Sequence, residues 1–244
     1  MANPPNLERV AVYIDGYSLY HGLVDGGCGD CLWLDMRALA LGLVSPSQTL
    51  ISVKYFTSYT KGDPLKRQRQ ITYLEALEVH TGIVPVRGKQ HWARHRCATC
   101  GAVTKKRNEK WTDVNIAIHV LDDALAGRFE TAFLVTADSD YVPLVNRIRQ
   151  IPGLRVVVFF PPMRTSNELR DVCDGARPLW KSLIRASQLP DEIRKPNGVI
   201  LKKPAFWIGL RQNPSPTHPL LRSLRLALAN LARRLLRWLH TADL

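Results

Sequence analysis

Residues 132–148 read AFLVTADSDYVPLVNRI. Ala132 to Thr136 form a short apolar, β-branched run. After Ser139 the apolar positions recur three apart, as Val142, Val145 and Ile148. A switch from strand to helical period over so few residues marks a strand feeding directly into a helix, the unit from which parallel sheets are built. The same alternation runs along the chain. Strands are predicted over Val10 to Ile14, Ile51 to Phe56, Ile83 to Val86, Ala132 to Thr136 and Val156 to Phe160. Between the second and third, Asp63 and Pro64 supply an N-cap and a first helical position and Gly82 a stop, which predicts a helix near 64–81. Thr112 is placed to cap a helix that begins with Asp113 and repeats Val114, Ala117, Ile118, Leu121 and Leu125 on one face. A last core helix is expected within 165–186. The expected fold is α/β with a mostly parallel five-stranded sheet.

In such a sheet the strand C-termini form one edge, and ligands bind in the crevice outside it. Asp15 follows the first strand, and Asp138 and Asp140 follow the fourth. Asp113 starts a helix that runs back to feed the fourth strand, so it falls at the same edge. Each acid alone is equally at home as a turn former or a helix cap. Four carboxylates at one edge repel one another and raise one another's pKa, so a cation belongs among them. Mg²⁺ or Mn²⁺ suits oxygen ligands and retains waters that can be activated against a phosphodiester.

With these residues in view the chain resembles the NYN domain family, a PIN-like branch of Rossmann-type nucleases. The resemblance rests on VAVYIDGYSLYHGL (10–23), NEKWTDVNIAIHVLDDA (108–124) and FLVTADSDYVPLV (133–145), in that order, and extends through SQLPDEIRKPNGVILKKPAFW (187–207), covering roughly residues 8–207. It implies a three-layer PIN-like sandwich, metal-binding and catalytic acids at Asp15, Asp113, Asp138 and Asp140, and RNA as the substrate. Two positions depart from the family's pattern: Ser18 stands where Asn is common, and Ala137 where Gly is common. Ser18 keeps a hydroxyl able to reach a carboxylate, water or RNA phosphate.

The formal net charge is +13, and it is unevenly spread. Residues 87–111 hold eight Lys/Arg against one acid, and residues 187–244 hold ten against three, leaving a nearly neutral body. The first stretch places Lys89, Arg94, Arg96, Lys105, Lys106, Arg107 and Lys110, with Trp92 and Trp111, just ahead of Asp113. Phosphate neutralisation joined to aromatic stacking is how single-stranded RNA is gripped; a plain solvated loop is the simpler alternative. Within that insert, Cys97 and Cys100 form a knuckle-like CxxC able to hold one side of a tetrahedral Zn²⁺, with Cys28 and Cys31, or His91 and His95, as alternative partners. Free thiols are the other reading.

The chain thus divides into a nuclease-like domain over 8–186 with its basic insert 87–111, an extended closing segment over 187–219, and a basic amphipathic helix over 220–240. In that helix Leu221, Leu224, Leu228, Leu231, Leu235 and Trp238 make the apolar stripe. The stripe suits packing or self-association into a homo-oligomer, and its arginines suit RNA, a ribosome or an anionic membrane surface. The opening residues lack the pattern of a secretory signal, and the cysteine usage suits a reducing compartment, so a cytoplasmic location is expected. The leading expectation is a Mg²⁺- or Mn²⁺-dependent ribonuclease; the alternative is a non-catalytic RNA-binding or regulatory module. A phosphatase of the haloacid dehalogenase type needs a second Asp where Tyr17 stands, and is set aside.

Overall fold

The computed structural model describes the backbone of residues 7–60, 62–96, 100 and 103–209, and the side chains of these except 89–96, 104–110 and 208–209. Strand β1 (Glu8–Asp15) is buried from Val10 to Asp15, which only a strand covered on both faces sustains. Strands β2 (Gln48–Thr57) and β6 (Thr131–Val135) flank it. With β3 (Val86–Arg87), β7 (Arg155–Phe160) and β8 (Gly175–Pro178) they make one six-stranded sheet in the order β3-β2-β1-β6-β7-β8, every pairing parallel. The order reverses between β1 and β6, so a topological switch point opens at their C-terminal ends.

The two faces of β1 separate the two halves of the core. Val10, Val12 and Ile14 join Leu19 and Leu23 of helix α1 (Gly16–Asp25), Leu39 of α2 (Met36–Leu41) and Leu74 and Leu77 of α3 (Pro64–Thr81). Ala11 and Tyr13 turn the other way, onto Ile116 and Val120 of α4 (Thr112–Leu125), Val145 and Ile148 of α5 (Val142–Arg149) and Leu169 of α6 (Asn167–Val172). The strand period of two therefore sorts alternate residues into opposite helix layers, giving the expected three-layer sandwich.

Several boundaries differ from those predicted. The sheet has six strands, since Gly175–Pro178 pairs along β7 between α6 and α7 (Lys181–Ala186), splitting the single helix expected over 165–186. Its four residues show no strand alternation, and the Pro that ends it is tolerated because the strand lies at the sheet edge. Helices α1 and α2 occupy a stretch where periodicity predicts none; their caps are Asp15, which accepts from Tyr17 N and Ser18 N, and Asp35, which accepts from Arg37 N and Ala38 N. Ile83 is not in β3 but buried against the α1–α3 core. Helix α3 forms as predicted, with the Asp63 carboxylate accepting from Lys66 N and Gly82 at φ 74° just past its end. Thr112 lies inside α4, and Trp111, at φ 80°, occupies the cap position.

The basic insert is a β-hairpin, β4 (Lys89–Arg96) paired antiparallel with β5 (Val103–Lys110), with Trp92 opposite Arg107 and Arg94 opposite Lys105. The closing segment forms β9 (Glu192–Arg194), β10 (Ile200–Lys202) and α8 (Ala205–Gly209). It is built into the domain: Leu189, Ile193, Leu201 and Trp207 are buried in the α1–α3 core and the Trp33 indole donates to Pro190 O at 2.8 Å. Residues 210–219 and the amphipathic helix expected over 220–240 lie outside the described residues. Among the described residues no helix is long and apolar enough to cross a membrane.

Candidate metal centre

The switch point is lined by acids from three separate elements. Asp15 ends β1 and caps α1, so its position is fixed twice over. Its Oδ1 accepts from Tyr17 N at 3.0 Å and Ser18 N at 3.1 Å, and its Oδ2 from Thr136 Oγ1 at 2.9 Å. A carboxylate offers about four acceptor sites, so these three neutral donors leave Oδ2 able to accept once more. Asp15 is 4% exposed. Burial pushes its carboxyl up to about 6, aided by the Asp113 carboxylate and opposed by the hydrogen bonds from Ser18, Thr136 and Tyr17.

Asp138 follows β6 and caps the 3-10 turn Ser139–Tyr141, its Oδ1 accepting from Asp140 N at 3.0 Å. Its own N–H is held by Thr136 Oγ1 at 3.2 Å, so one threonine hydroxyl links Asp15 to the loop that carries Asp138. That turn brings Tyr141 beneath the site, 2% exposed, with its hydroxyl donating to Asp113 Oδ1 at 2.9 Å. Burial, then the carboxylates of Asp15, Asp113 and Asp138, drive the Tyr141 phenol far above its ordinary value. Three acids distant in sequence therefore act on one hydroxyl. Asp140 is exposed, and its contact with Asp138 is through its backbone.

Thr136 and Tyr141 escape a reading by residue type, since neither is an obvious metal ligand. The available signal is positional: Thr136 precedes Asp138 by two and Tyr141 follows it by three. Ser18 is 5% exposed and accepts from Ala137 N at 3.0 Å, which places it under the site, tying α1 to the β6 loop, rather than on an RNA-facing surface.

In donor type and convergence the carboxylates of Asp15, Asp113 and Asp138 fit a hard divalent ion such as Mg²⁺ or Mn²⁺. They do not form a closed cage: among the described residues no three His, Cys, Asp or Glu side chains stand close enough to hold an ion unaided. A Mg²⁺ ion bound by one or two carboxylates and otherwise by water needs no such cage.

Among the described residues Cys28, Cys31 and Cys100 form no metal-binding group. Cys28 and Cys31 are buried in the core at the 3-10 turn Gly29–Cys31, Cys100 is exposed, and Cys97 lies outside the described residues. Cys28 and Cys31 pack there as small core residues. Cys31 Sγ lies 3.6 Å from Asp30 Oδ1, and Asp30 pairs with Arg185 at 3.1 Å. The neighbouring Cys31 thiol, with Arg185 and Lys181 nearby, shifts the Cys28 thiol below its ordinary value. The side chains of His91 and His95 lie outside the described residues, as do those of Lys89, Trp92, Arg94, Arg96, Lys105, Lys106, Arg107 and Lys110. Trp111, next to the hairpin, is 48% exposed.

The NYN domain model matches residues 9–179, from β1 through β8. The chain belongs to the NYN domain family, whose members are generally PIN-like nucleases. It is also similar to the 6-hydroxy-3-succinoylpyridine 3-monooxygenase HspA of Pseudomonas putida, at 28% identity over 82% of this chain and 76% of that one. Among solved structures, a Vibrio parahaemolyticus protein of unknown function aligns with a TM-score of 0.48 and 21% identity over 74% of this chain and 98% of its own.

Proposed function

We propose that this chain is a divalent-metal-dependent ribonuclease acting at Asp15, Asp113 and Asp138, with Asp140 at the margin of the site. The carrying observation is that at the switch point the Thr136 hydroxyl joins Asp15 Oδ2 to the Asp138 backbone while the buried Tyr141 hydroxyl holds Asp113. A bound Mg²⁺ or Mn²⁺ supplies an activated water and neutralises charge at the scissile phosphate. The protein's part is positioning. Asp15, locked by Thr136 and the start of α1, is the rigid acid. Asp113 is oriented by Tyr141, and Asp138 by its place on the turn. The experiment is cleavage of single-stranded and structured RNA with Mn²⁺, Mg²⁺ or EDTA, beside Asp138→Asn. Metal-dependent cleavage lost in Asp138→Asn with binding retained supports the enzyme; binding without cleavage by the parent chain in any metal supports an RNA-binding module.

A second reading is favoured by the likeness to the pyridine monooxygenase: oxygenation of a hydroxylated pyridine ring. Its test is O₂-dependent conversion of 6-hydroxy-3-succinoylpyridine by the purified protein with an added two-electron reductant. A ring product that carries a new hydroxyl at C3 in place of the succinoyl group, with inert RNA, would replace the nuclease reading.

A further inference from the structure

Next to the aspartates the surface carries a line of rings and cations drawn from α1, α3, the end of β3 and the loop that follows β2. Tyr17, 56% exposed, follows Asp15 by two and packs against His21 with ring centroids 4.4 Å apart and the ring planes tilted by 56°. His21 meets Tyr20 at 5.2 Å, and Lys66 of α3 places its Nζ 4.8 Å from the centre of the Tyr20 ring. The next residue, Arg67, lies 5.8 Å from the Tyr59 ring, and Arg87 at the end of β3 lies 4.9 Å from that ring. Gly88 then donates its N–H to Thr57 O at 2.9 Å, and the chain enters the basic hairpin.

This line has two fixed ends. Tyr17 donates its backbone N–H to Asp15, and Arg87 is one glycine from β4. Tyr17 and Tyr59 lie just past the C-terminal ends of β1 and β2 and Arg87 ends β3, on the edge that carries the aspartates. Tyr20 and Tyr59 rest one side on the α1–α3 core, whereas Tyr17, Arg67 and Arg87 are exposed and have no part in it. Alternating rings and cations are the chemistry that grips a nucleic-acid strand whose bases are free: rings and guanidinium planes stack on bases while the charges take phosphates. In a duplex the bases are already stacked on one another, so a row of isolated rings has nothing to receive.

We infer that the surface running from Tyr17 through Tyr20 and Tyr59 to Arg87 is the track for single-stranded RNA between the basic hairpin and the aspartates, an inference that rests on the nuclease reading for the strand's destination. The track commits the protein to unpaired substrate, threaded across the N-terminal ends of α1 and α3.

The test is fluorescence anisotropy of a labelled unstructured RNA oligonucleotide on the full chain in EDTA, where cleavage is suppressed, for the parent, Tyr17→Ala, Tyr59→Ala and Arg87→Glu. Melting curves confirm that each variant is folded, and Tyr17, the most exposed ring, serves if Tyr59→Ala is not. Tyr59→Ala or Tyr17→Ala should weaken binding by roughly 5- to 100-fold, the range that loss of one base–aromatic stack produces. Arg87→Glu should also lower the slope of log affinity against log salt by about one.

Ring variants that bind as the parent does, with cleavage by the parent intact, overturn the track and leave the nuclease standing. Track-dependent binding without cleavage in any metal keeps the track and removes the nuclease. Equal affinity for a blunt duplex and for unpaired RNA, or no binding by the parent, overturns the track outright.

Discussion

The Tyr141 hydroxyl is the single group on which the proposed centre turns, because it fixes Asp113, an otherwise exposed acid on the first turn of a helix. Tyr141→Phe keeps the buried ring and removes only the donor. Groups that orient a ligand from behind typically change metal affinity or activity 10- to 100-fold. We therefore expect Tyr141→Phe to need about tenfold more Mn²⁺ for half-maximal cleavage, with maximal rate less affected. An unchanged Mn²⁺ titration would show that Asp113 needs no orienting. Asp15 makes a separate prediction through pH. Its carboxyl is raised from 3.8 to about 6 in the fold. The native state thus binds the extra proton between those values, and stability contributed by the protonated form is lost as pH rises through that window. The difference of about two units corresponds to about 3 kcal/mol. In EDTA, Asp15→Asn should gain stability relative to the parent on going from pH 4 to pH 7.5, because Asn keeps a cap acceptor without the buried charge. Denaturant melts at the two pH values give the comparison, and a pH-independent difference between the two proteins would contradict the raised carboxyl.

At the scale of elements, the start of α1 is the most constrained joint. A Cβ on Gly16 would meet Phe56 O at 2.5 Å and the Tyr55 ring at 2.9 Å, and backbone on the central sheet cannot yield cheaply. Gly16→Ala should therefore displace the joint that carries Asp15, lowering cleavage as well as the melting temperature. Wild-type cleavage by a folded Gly16→Ala protein would show that Asp15 tolerates the shift. Helix α3 offers the contrast of a change remote from the acids. Asp63→Ala removes the acceptor for Lys66 N and should destabilise by about 1 kcal/mol, read from a denaturant midpoint, with metal affinity unchanged. The elements also show why legibility varied. The helix over 64–81 carries its own start and stop in Asp63, Pro64 and Gly82, so local chemistry suffices to define it. Strand β8 has no such marks; Gly175–Pro178 is extended because the free edge of β7 offers it hydrogen bonds.

For the whole molecule the closing segment matters more than its Pro-containing sequence implies. Trp207 packs on Trp33 and Tyr73 with centroids 6.2 and 6.1 Å away, and Leu189 N donates to Trp33 O at 3.0 Å. Trp207→Ala should destabilise by roughly 3–5 kcal/mol, the usual range for a large buried aromatic, in a thermal or urea melt. The opposite edge of the sheet gives a useful comparison with the proposed centre. There Asp123, 2% exposed, accepts from Tyr13 OH and Lys54 Nζ, both at 2.6 Å, and from Arg128 at 3.2 Å. Cations of the chain's own compensate that buried acid, whereas the bonds to Asp15 come from neutral donors.

The sequence by itself determined the parallel α/β class, the strand ends at which Asp15 and Asp138 stand, and the family, because each follows from short-range periodicity, capping residues and motif order. Only the tertiary structure decided that Tyr141 and Thr136 connect the acids, that Ser18 lies beneath the site, that Cys28 and Cys31 are core residues, and that rings from α1 and the loop after β2 meet cations from α3 and β3. Those are contacts between residues far apart in the chain, fixed by the register of strands and the angle of helices on the sheet, and no local pattern encodes them.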